Sequence, residues 1–295
     1  MIVVLHLGAH KTGTSLIQKY MRDRPKIMRR NRIAMLSRSS GDKLIGWGQD
    51  KILSPGLPVL QKNIRRAALL LRTRYVLSHE NALGRPFAQS GKELYPDASA
   101  RARQIADGLP GKRKIAVYYI RDQVSFLESY YLQTIQQGKH HLFDEWVNPK
   151  LDGSLSWRPL YEGLCAALGK ENVLLKDFGS QIRQGQARFL CDFFSAFMPV
   201  DTQKFGEFEY PARRNLSIGD VGLELALKIN PYLKSWEAQR STRNFLQQIF
   251  SNADFPRPVL LSDDQKQMLT SKYEAENQDL IQESERTFIA PHRAG

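Results

Sequence analysis

Ile2-Val3-Val4-Leu5-His6-Leu7-Gly8-Ala9-His10-Lys11-Thr12-Gly13-Thr14-Ser15 is the stretch whose reading decides the fold. Ile2 to Leu7 is a short, mostly apolar run, as expected of a strand buried on both faces of a parallel sheet. The loop Gly8 to Gly13 follows, then a helix from about Thr14 to Arg22 with Leu16, Ile17, Tyr20 and Met21 on its inner side. A strand that turns through glycines into a helix points backbone N–H groups and the helix dipole at one place, which suits a phosphate. The spacing departs from the nucleotide-triphosphatase loop G-x-x-x-x-G-K-[ST]. Glycines fit at positions 8 and 13, but Thr14 fills the lysine slot, and the lysine of the loop, Lys11, sits in its middle. With no lysine at the helix start to reach β- and γ-phosphates, the loop suits a 5′-monophosphate-type group, and ATP hydrolysis is disfavoured.

Downstream the pattern repeats. A helix near Leu60 to Arg72 leads to a strand Arg74 to Ser78; a helix near Ala98 to Asp107 leads to a strand Lys114 to Ile120. Then come helix Gln123 to Gln137, helix Trp157 to Leu168, strand Asn172 to Lys176 and helix Gln184 to Phe197, while 38–58 and 138–155 read as loops. Strands alternating with helices predict an α/β fold, a doubly wound parallel sheet flanked by helices. The last third is mostly helical, with a capping-box start at Ser262-Asp263-Asp264-Gln265 and a further helix start at Ser217-Ile218-Gly219-Asp220. The reading is a single domain over 1–295, with an α/β core in 1–200 and a mostly helical region in 201–295.

Composition sets the boundaries. In 295 residues, 42 % are hydrophobic and 25 % charged, ordinary for a chain with a core. No apolar run approaches the length of a membrane span, and Ile2 to Leu5 has no basic segment before it and runs straight into the loop, unlike a signal peptide. Cys165 and Cys191 fall in apolar helical patterns and read as free thiols. These features predict a cytoplasmic protein. The net charge of +13 favours an anionic partner. No zinc-finger spacing, aromatic RNA-binding strand or basic-plus-heptad segment accompanies it, so nucleic acid is not expected, and no ligand cluster suggests a metal.

A second motif adds to the loop. Tyr118-Tyr119-Ile120-Arg121 ends a strand and Ser129 lies on the next helix, eight positions on. Eight residues turn a helix about 80° past two full turns, so Arg121 and Ser129 can converge on one anion, and a guanidinium fork suits a dianionic phosphate. Together the two motifs resemble the sulfotransferases that use 3′-phosphoadenosine-5′-phosphosulfate (PAPS), whose phosphosulfate loops read K-[ST]-G-T-[TS] and whose 3′-phosphate site pairs a strand-end arginine with a serine eight residues later. Leu168-Gly169-Lys170-Glu171-Asn172-Val173-Leu174 is similar to the F-G-x-E-N-V-L stretch of bacterial members, and Arg213-Arg214-Asn215-x-Ser217 to their R-R-N-x-S. The resemblance implies a P-loop-like sulfotransferase fold, PAPS as co-substrate, its bisphosphate PAP as product and no metal. It places His10, Lys11, Thr12, Gly13, Thr14, Ser15, Arg121, Ser129 and one of Arg213 or Arg214 at the nucleotide, with Lys11 neutralising the leaving oxygen.

The acceptor hydroxyl needs a general base. The strand Arg74 to Ser78 runs into His79-Glu80 at the carboxyl edge of the sheet, where ligands bind in such folds. It is similar to the K-T-H strand end of small-molecule sulfotransferases, with Leu77 in place of the lysine, so His79 is one candidate. Glu80 is the other, since glycan-modifying relatives use a carboxylate. His10, His140 and His141 stay as further alternatives, and His6 reads as a core histidine. The acceptor is expected to be a glycan, a lipid-linked sugar or another small metabolite, on a chain that can form a homo-oligomer. The rival readings are a kinase-like phosphotransferase and a non-catalytic module that binds nucleotide or sulfated glycan.

Overall fold

The structure, a computed structural model, describes residues 1–35, 57–87, 91–111, 113–200 and 217–292. Five parallel strands form one sheet: β1 (Ile2–His6), β2 (Ile33–Met35), β3 (Arg74–Ser78), β4 (Arg113–Ile120) and β5 (Val173–Asp177), in the order β2-β3-β1-β4-β5. Val3, Val4 and Leu5, Tyr75 to Leu77 and Ile115 to Ile120 are all buried, which explains why these runs are continuously apolar rather than alternating. The parallel α/β fold expected from the sequence is present.

The order fixes where ligands go. From β1 the chain crosses β3 to reach β2, returns to β3, then crosses β1 to reach β4. Direction reverses around β1, so right-handed crossovers put helices on both faces and open a crevice beyond the carboxyl ends of β1, β3 and β4. On one face α1 (Thr14–Asp23) meets α9 (Gln186–Ser195), with the Tyr20 and Phe194 ring centroids 5.6 Å apart. On the other, α3 (Leu57–Leu69) reaches α4 (Ala98–Gly108) through Gln61 Nε2, which donates to the Gly108 carbonyl at 2.7 Å. There α4 packs tightly on α7 (Arg158–Leu168): a Cβ on Gly163 would lie 2.8 Å from the Ser99 Cα.

Two compact units divide the chain. One comprises Met1–Arg121, Ser156–Phe208 and Ala275–Gly295 and holds the sheet; the other comprises Asp122–Leu155 and Glu209–Glu274. In the first, the end of the long helix α12 (Asp263–Thr287) covers the exposed edge of β5, where Ser284 Oγ accepts from the Leu175 N–H at 2.9 Å and donates to its carbonyl at 3.1 Å. Covering an edge strand removes a template for aggregation. The Gly-x-Glu-Asn stretch acquires a physical role here. Asn172 Nδ2 donates to the Leu168 carbonyl at the end of α7, and its Oδ1 accepts from Arg113 Nε, both at 2.8 Å, joining that helix to the start of β4. The predicted capping box also forms: Gln265 N–H donates to Ser262 Oγ at 3.1 Å and Ser262 N–H to Gln265 Oε1 at 2.9 Å.

The second unit is helical, with α5 (Gln123–Gln136), α6 (Phe143–Leu151), α10 (Asp220–Ile229) and α11 (Trp236–Ile249) around Tyr131, Ile135, Ile218, Ala226 and Leu246. Two segments differ from the sequence reading. The loop expected over 138–155 contains α6, which forms despite Pro149 because it buries Val147. The helix expected over Gln184 to Phe197 is α9 (Gln186–Ser195), and a short helix absent from the sequence reading, α8 (Phe178–Arg183), precedes it; Gly185, whose φ of 98° no helix allows, separates the two. The short helix α2 (Pro25–Arg30) and β2 carry too few residues for a periodic signal. No helix among the described residues is long and apolar enough to cross a membrane.

Candidate anion-binding site

Register builds the site. β1 and β3 pair with His6 opposite Ser78, so the residues after each strand leave side by side; the His79 N–H donates to the His6 carbonyl at 2.9 Å. β4 pairs with β1 at Leu5–Ala116 and runs on to Ile120, rising beside the loop that follows β1. At its end Arg121 Nη1 donates to the Lys11 carbonyl at 3.3 Å. Three strand ends thus bring His10, Lys11, His79, Glu80 and Arg121 to one edge of the sheet.

The loop holds its shape by side chains and glycine. Gly13, the residue before α1, is left-handed at φ 79°, and a Cβ there would lie 2.7 Å from Phe189 Cζ and 3.1 Å from Phe178 Cε2. Lys11 is itself left-handed at φ 64°, an unusual conformation for a non-glycine residue that lifts it out of the turn. The Thr12 hydroxyl, fully buried, donates to the Ala9 carbonyl at 2.6 Å. Thr14 is 4 % exposed, and its buried hydroxyl makes no hydrogen bond within the described residues. Buried polar groups rarely lack partners, and this one stands at the helix start where an anion would bind. Ser15 is exposed.

His10 braces the loop. Its ring Nδ1 and its backbone N–H both meet the Tyr95 hydroxyl, at 2.8 and 2.9 Å, and its Nε2 meets Asn81 Oδ1 at 2.8 Å. The backbone N–H gives its proton to the Tyr95 oxygen, so the tyrosine proton goes to Nδ1 and the ring carries its own on Nε2. Both ring nitrogens are thus committed inside the protein. Burial, above all, lowers the His10 pKa, with Lys11 and His79 adding and Glu80 opposing. Tyr95 is the residue sequence reasoning missed: it lies 85 positions from His10 and has no local motif.

Two cations share the edge. Burial, then the Arg121 guanidinium, push the Lys11 ammonium below its ordinary value, and the Glu80 carboxylate opposes them. Arg121 lies over the Phe178 ring at 5.9 Å, and its carbonyl accepts from the Trp157 indole at 3.0 Å. His79 is buried, and its Nδ1 accepts from the Asn81 N–H at 3.3 Å, which puts the proton of the neutral ring on Nε2. Glu80 is half-buried. Ser129 lies half-buried on α5, in the second unit. Arg213 and Arg214 lie outside the described residues.

Of the further base candidates, His141 stacks on Trp146 and its Nε2 meets Thr134 Oγ1 at 3.2 Å, while His140 is exposed. Cys165 and Cys191 are free thiols. Among the described residues no three His, Cys, Asp or Glu side chains are grouped to hold a metal ion.

No family model matches this sequence, and no curated protein matches it. Among solved structures, a sulfotransferase from Alicyclobacillus acidocaldarius is similar at 15 % identity and a TM-score of 0.39, over 81 % of this chain and 95 % of that one. A retinol dehydratase, solved with androsterone and the inactive cofactor PAP, is similar at 11 % identity and a TM-score of 0.31, over 97 % of this chain and 81 % of that one. At such scores neither likeness bears on a residue, a substrate or a reaction.

Proposed function

We propose that the protein is a sulfotransferase that moves a sulfuryl group from PAPS to a hydroxyl of an acidic acceptor, such as a glycan or a lipid-linked sugar. The observation that carries this reading is Lys11. It stands in the left-handed region at the centre of a phosphate-type loop, its carbonyl held by Arg121, while the helix-start lysine of a triphosphatase loop is replaced by Thr14. The loop fits a phosphate oxyanion, because the buried Thr14 hydroxyl lacks a partner within the described residues and the N–H groups of Thr12 to Ser15 stand at a helix start.

When bound, PAPS supplies a sulfuryl group activated as a phosphosulfate anhydride. The protein's contribution is positioning and charge stabilisation. The loop N–H groups and the Thr14 hydroxyl hold the 5′-phosphate, and the Arg121 guanidinium holds the 3′-phosphate. Lys11 keeps its ammonium on the leaving-group side, where burial in a low-dielectric site strengthens its effect. Glu80 takes the proton of the acceptor hydroxyl. Its half-exposed carboxylate favours it over His79, which is buried and accepts from the Asn81 N–H. The net charge of +13 supports an acidic acceptor.

The test is transfer of label from radiolabelled PAPS to a panel of cell-envelope glycans, lipid-linked sugars and small alcohols. Lys11→Ala should slow transfer about 10²–10³-fold, Glu80→Gln should abolish it and His79→Gln should retain it. Loss with His79→Gln alone would move the base to His79. Binding of PAP with no transfer to any acceptor would make the protein a binding module.

A further inference from the structure

Beneath the loop lies a second set of polar groups that the proposed chemistry does not use. His6, the last residue of β1, is fully buried, with its ring edge-on to Phe193 at 5.1 Å and Tyr119 at 6.2 Å. Its Nδ1 meets the Ser78 hydroxyl at 2.9 Å. Gln18 Nε2 donates to the Ser78 carbonyl at 2.9 Å and toward the Ser78 hydroxyl oxygen at 3.4 Å. With that oxygen facing a donor, the Ser78 proton goes to His6 Nδ1 and the ring carries its own proton on Nε2. That Nε2, like the Thr14 hydroxyl, is closed off from solvent and has no partner among the described residues. Both atoms face the same side of Gly8, where a Cβ would lie 2.9 Å from Thr14 Oγ1 and 3.4 Å from His6 Nε2. Two orphaned buried groups over one bare α-carbon are an arrangement that a hydrogen bond between them would complete. Thr12 Oγ1 lies 3.5 Å from the same point, but its proton is spent on the Ala9 carbonyl.

Resting on the anion-site reading above, we propose that His6 is a positioning residue for the bound anion: the two atoms, not hydrogen-bonded to each other in the structure, close on one another when the anion binds, and a chain Gln18–Ser78–His6 then delivers the Nε2–H to Thr14 Oγ1, so that the Thr14 proton is left to point at a phosphate oxygen. A hydroxyl that accepts one hydrogen bond is a stronger donor of the next. The chain also accounts for Gly8, since any side chain there would separate the two groups.

A double-mutant cycle on the full chain tests this, with PAP binding read by titration calorimetry and folding by far-UV circular dichroism. His6→Asn keeps an amide near the Nδ1 position and removes the Nε2 donor; His6→Gln places an amide nitrogen near Nε2. PAP affinity should fall about five- to tenfold in His6→Asn and Thr14→Val, the worth of one hydrogen bond, and less than threefold in His6→Gln. His6→Asn should cost nothing further in the Thr14→Val background. Should His6→Asn fail to fold, His6→Gln and nitrogen-15 NMR decide: with saturating inorganic phosphate, the His6 Nε2–H signal should shift between wild type and Thr14→Val. An unaltered affinity in His6→Asn, additive losses, an unmoved Nε2–H signal, or coupling to Thr12→Val in place of Thr14→Val would overturn the proposal. Wild-type protein that binds phosphate but not PAP would overturn the nucleotide reading and leave the NMR arm to decide the role of His6.

Discussion

Replacing Gly13 by alanine should uncouple the loop from the helix behind it. Two separate costs are built in at this position. The left-handed φ of 79° disfavours any L side chain, by about 1–2 kcal/mol. The new methyl would also press on the Phe189 ring, 2.7 Å from Cζ and 2.9 Å from Cε1, and overpacking of this kind costs about 1–3 kcal/mol. Phe189 cannot yield freely, because it is fully buried and its ring packs on Phe178 at 5.7 Å and Tyr119 at 4.9 Å. The sum, about 2–5 kcal/mol, should lower the midpoint of thermal unfolding by roughly 5–15 °C. A cycle with Phe189→Leu separates the two costs, since the shorter side chain relieves the clash but not the backbone strain. Urea unfolding followed by circular dichroism should then give a coupling of about 1–3 kcal/mol between the two substitutions. Additivity within about 0.5 kcal/mol would mean that Phe189 does not back the loop, and the reasoning would fail.

Other outcomes follow from the same geometry. Tyr95→Phe leaves the buried His10 N–H and Nδ1 without their shared partner and should cost about 1–3 kcal/mol in urea unfolding. Lys11→Ala should fold normally yet lose about 10²–10³ in turnover with PAPS. Arg121→Ala should weaken PAP about ten- to hundredfold, the worth of a charged hydrogen bond, in titration calorimetry. His6 is held down to about 3 by burial, so below its unfolded pKa of about 6.5 the unfolded chain binds a proton that the folded chain refuses. The fold therefore loses stability as pH falls from 6.5 toward 3, by about 1.4 kcal/mol per unit, and nothing above 6.5. His6→Gln should show a shallower loss between pH 6.5 and 5, by about 2 kcal/mol, in urea titrations at the two pH values.

What the sequence made legible was local and periodic. The strand Arg74–Ser78 was bounded correctly because a short apolar run stood between polar turns. The capping box at Ser262 formed because both of its hydrogen bonds are made within four residues. Parallel pairing followed from runs too uniformly apolar for a one-sided sheet. The long-range parts were not legible. Tyr95 reaches His10 across 85 positions, and the Phe189 that requires a glycine at 13 sits 176 positions away. Short elements such as β2 offer three residues, too few for a period to register. At the site, His79 and Glu80 could be picked as a strand end, but their different burial, His79 buried and Glu80 half-buried, depends on the turn after β3, where the Asn81 N–H folds back onto His79 Nδ1.

Ligand-dependent thermal stability of the full chain bears most directly on the central claim, that the loop at Lys11 and the arginine at 121 form a site for a bisphosphorylated nucleotide. At a hundred times its dissociation constant a ligand adds about 2.7 kcal/mol to the folded state. PAP should raise the unfolding midpoint of the wild type by several degrees, with Mg-ATP without effect and the PAP response lost in Lys11→Ala and Arg121→Ala. A rise with Mg-ATP and none with PAP would contradict the account.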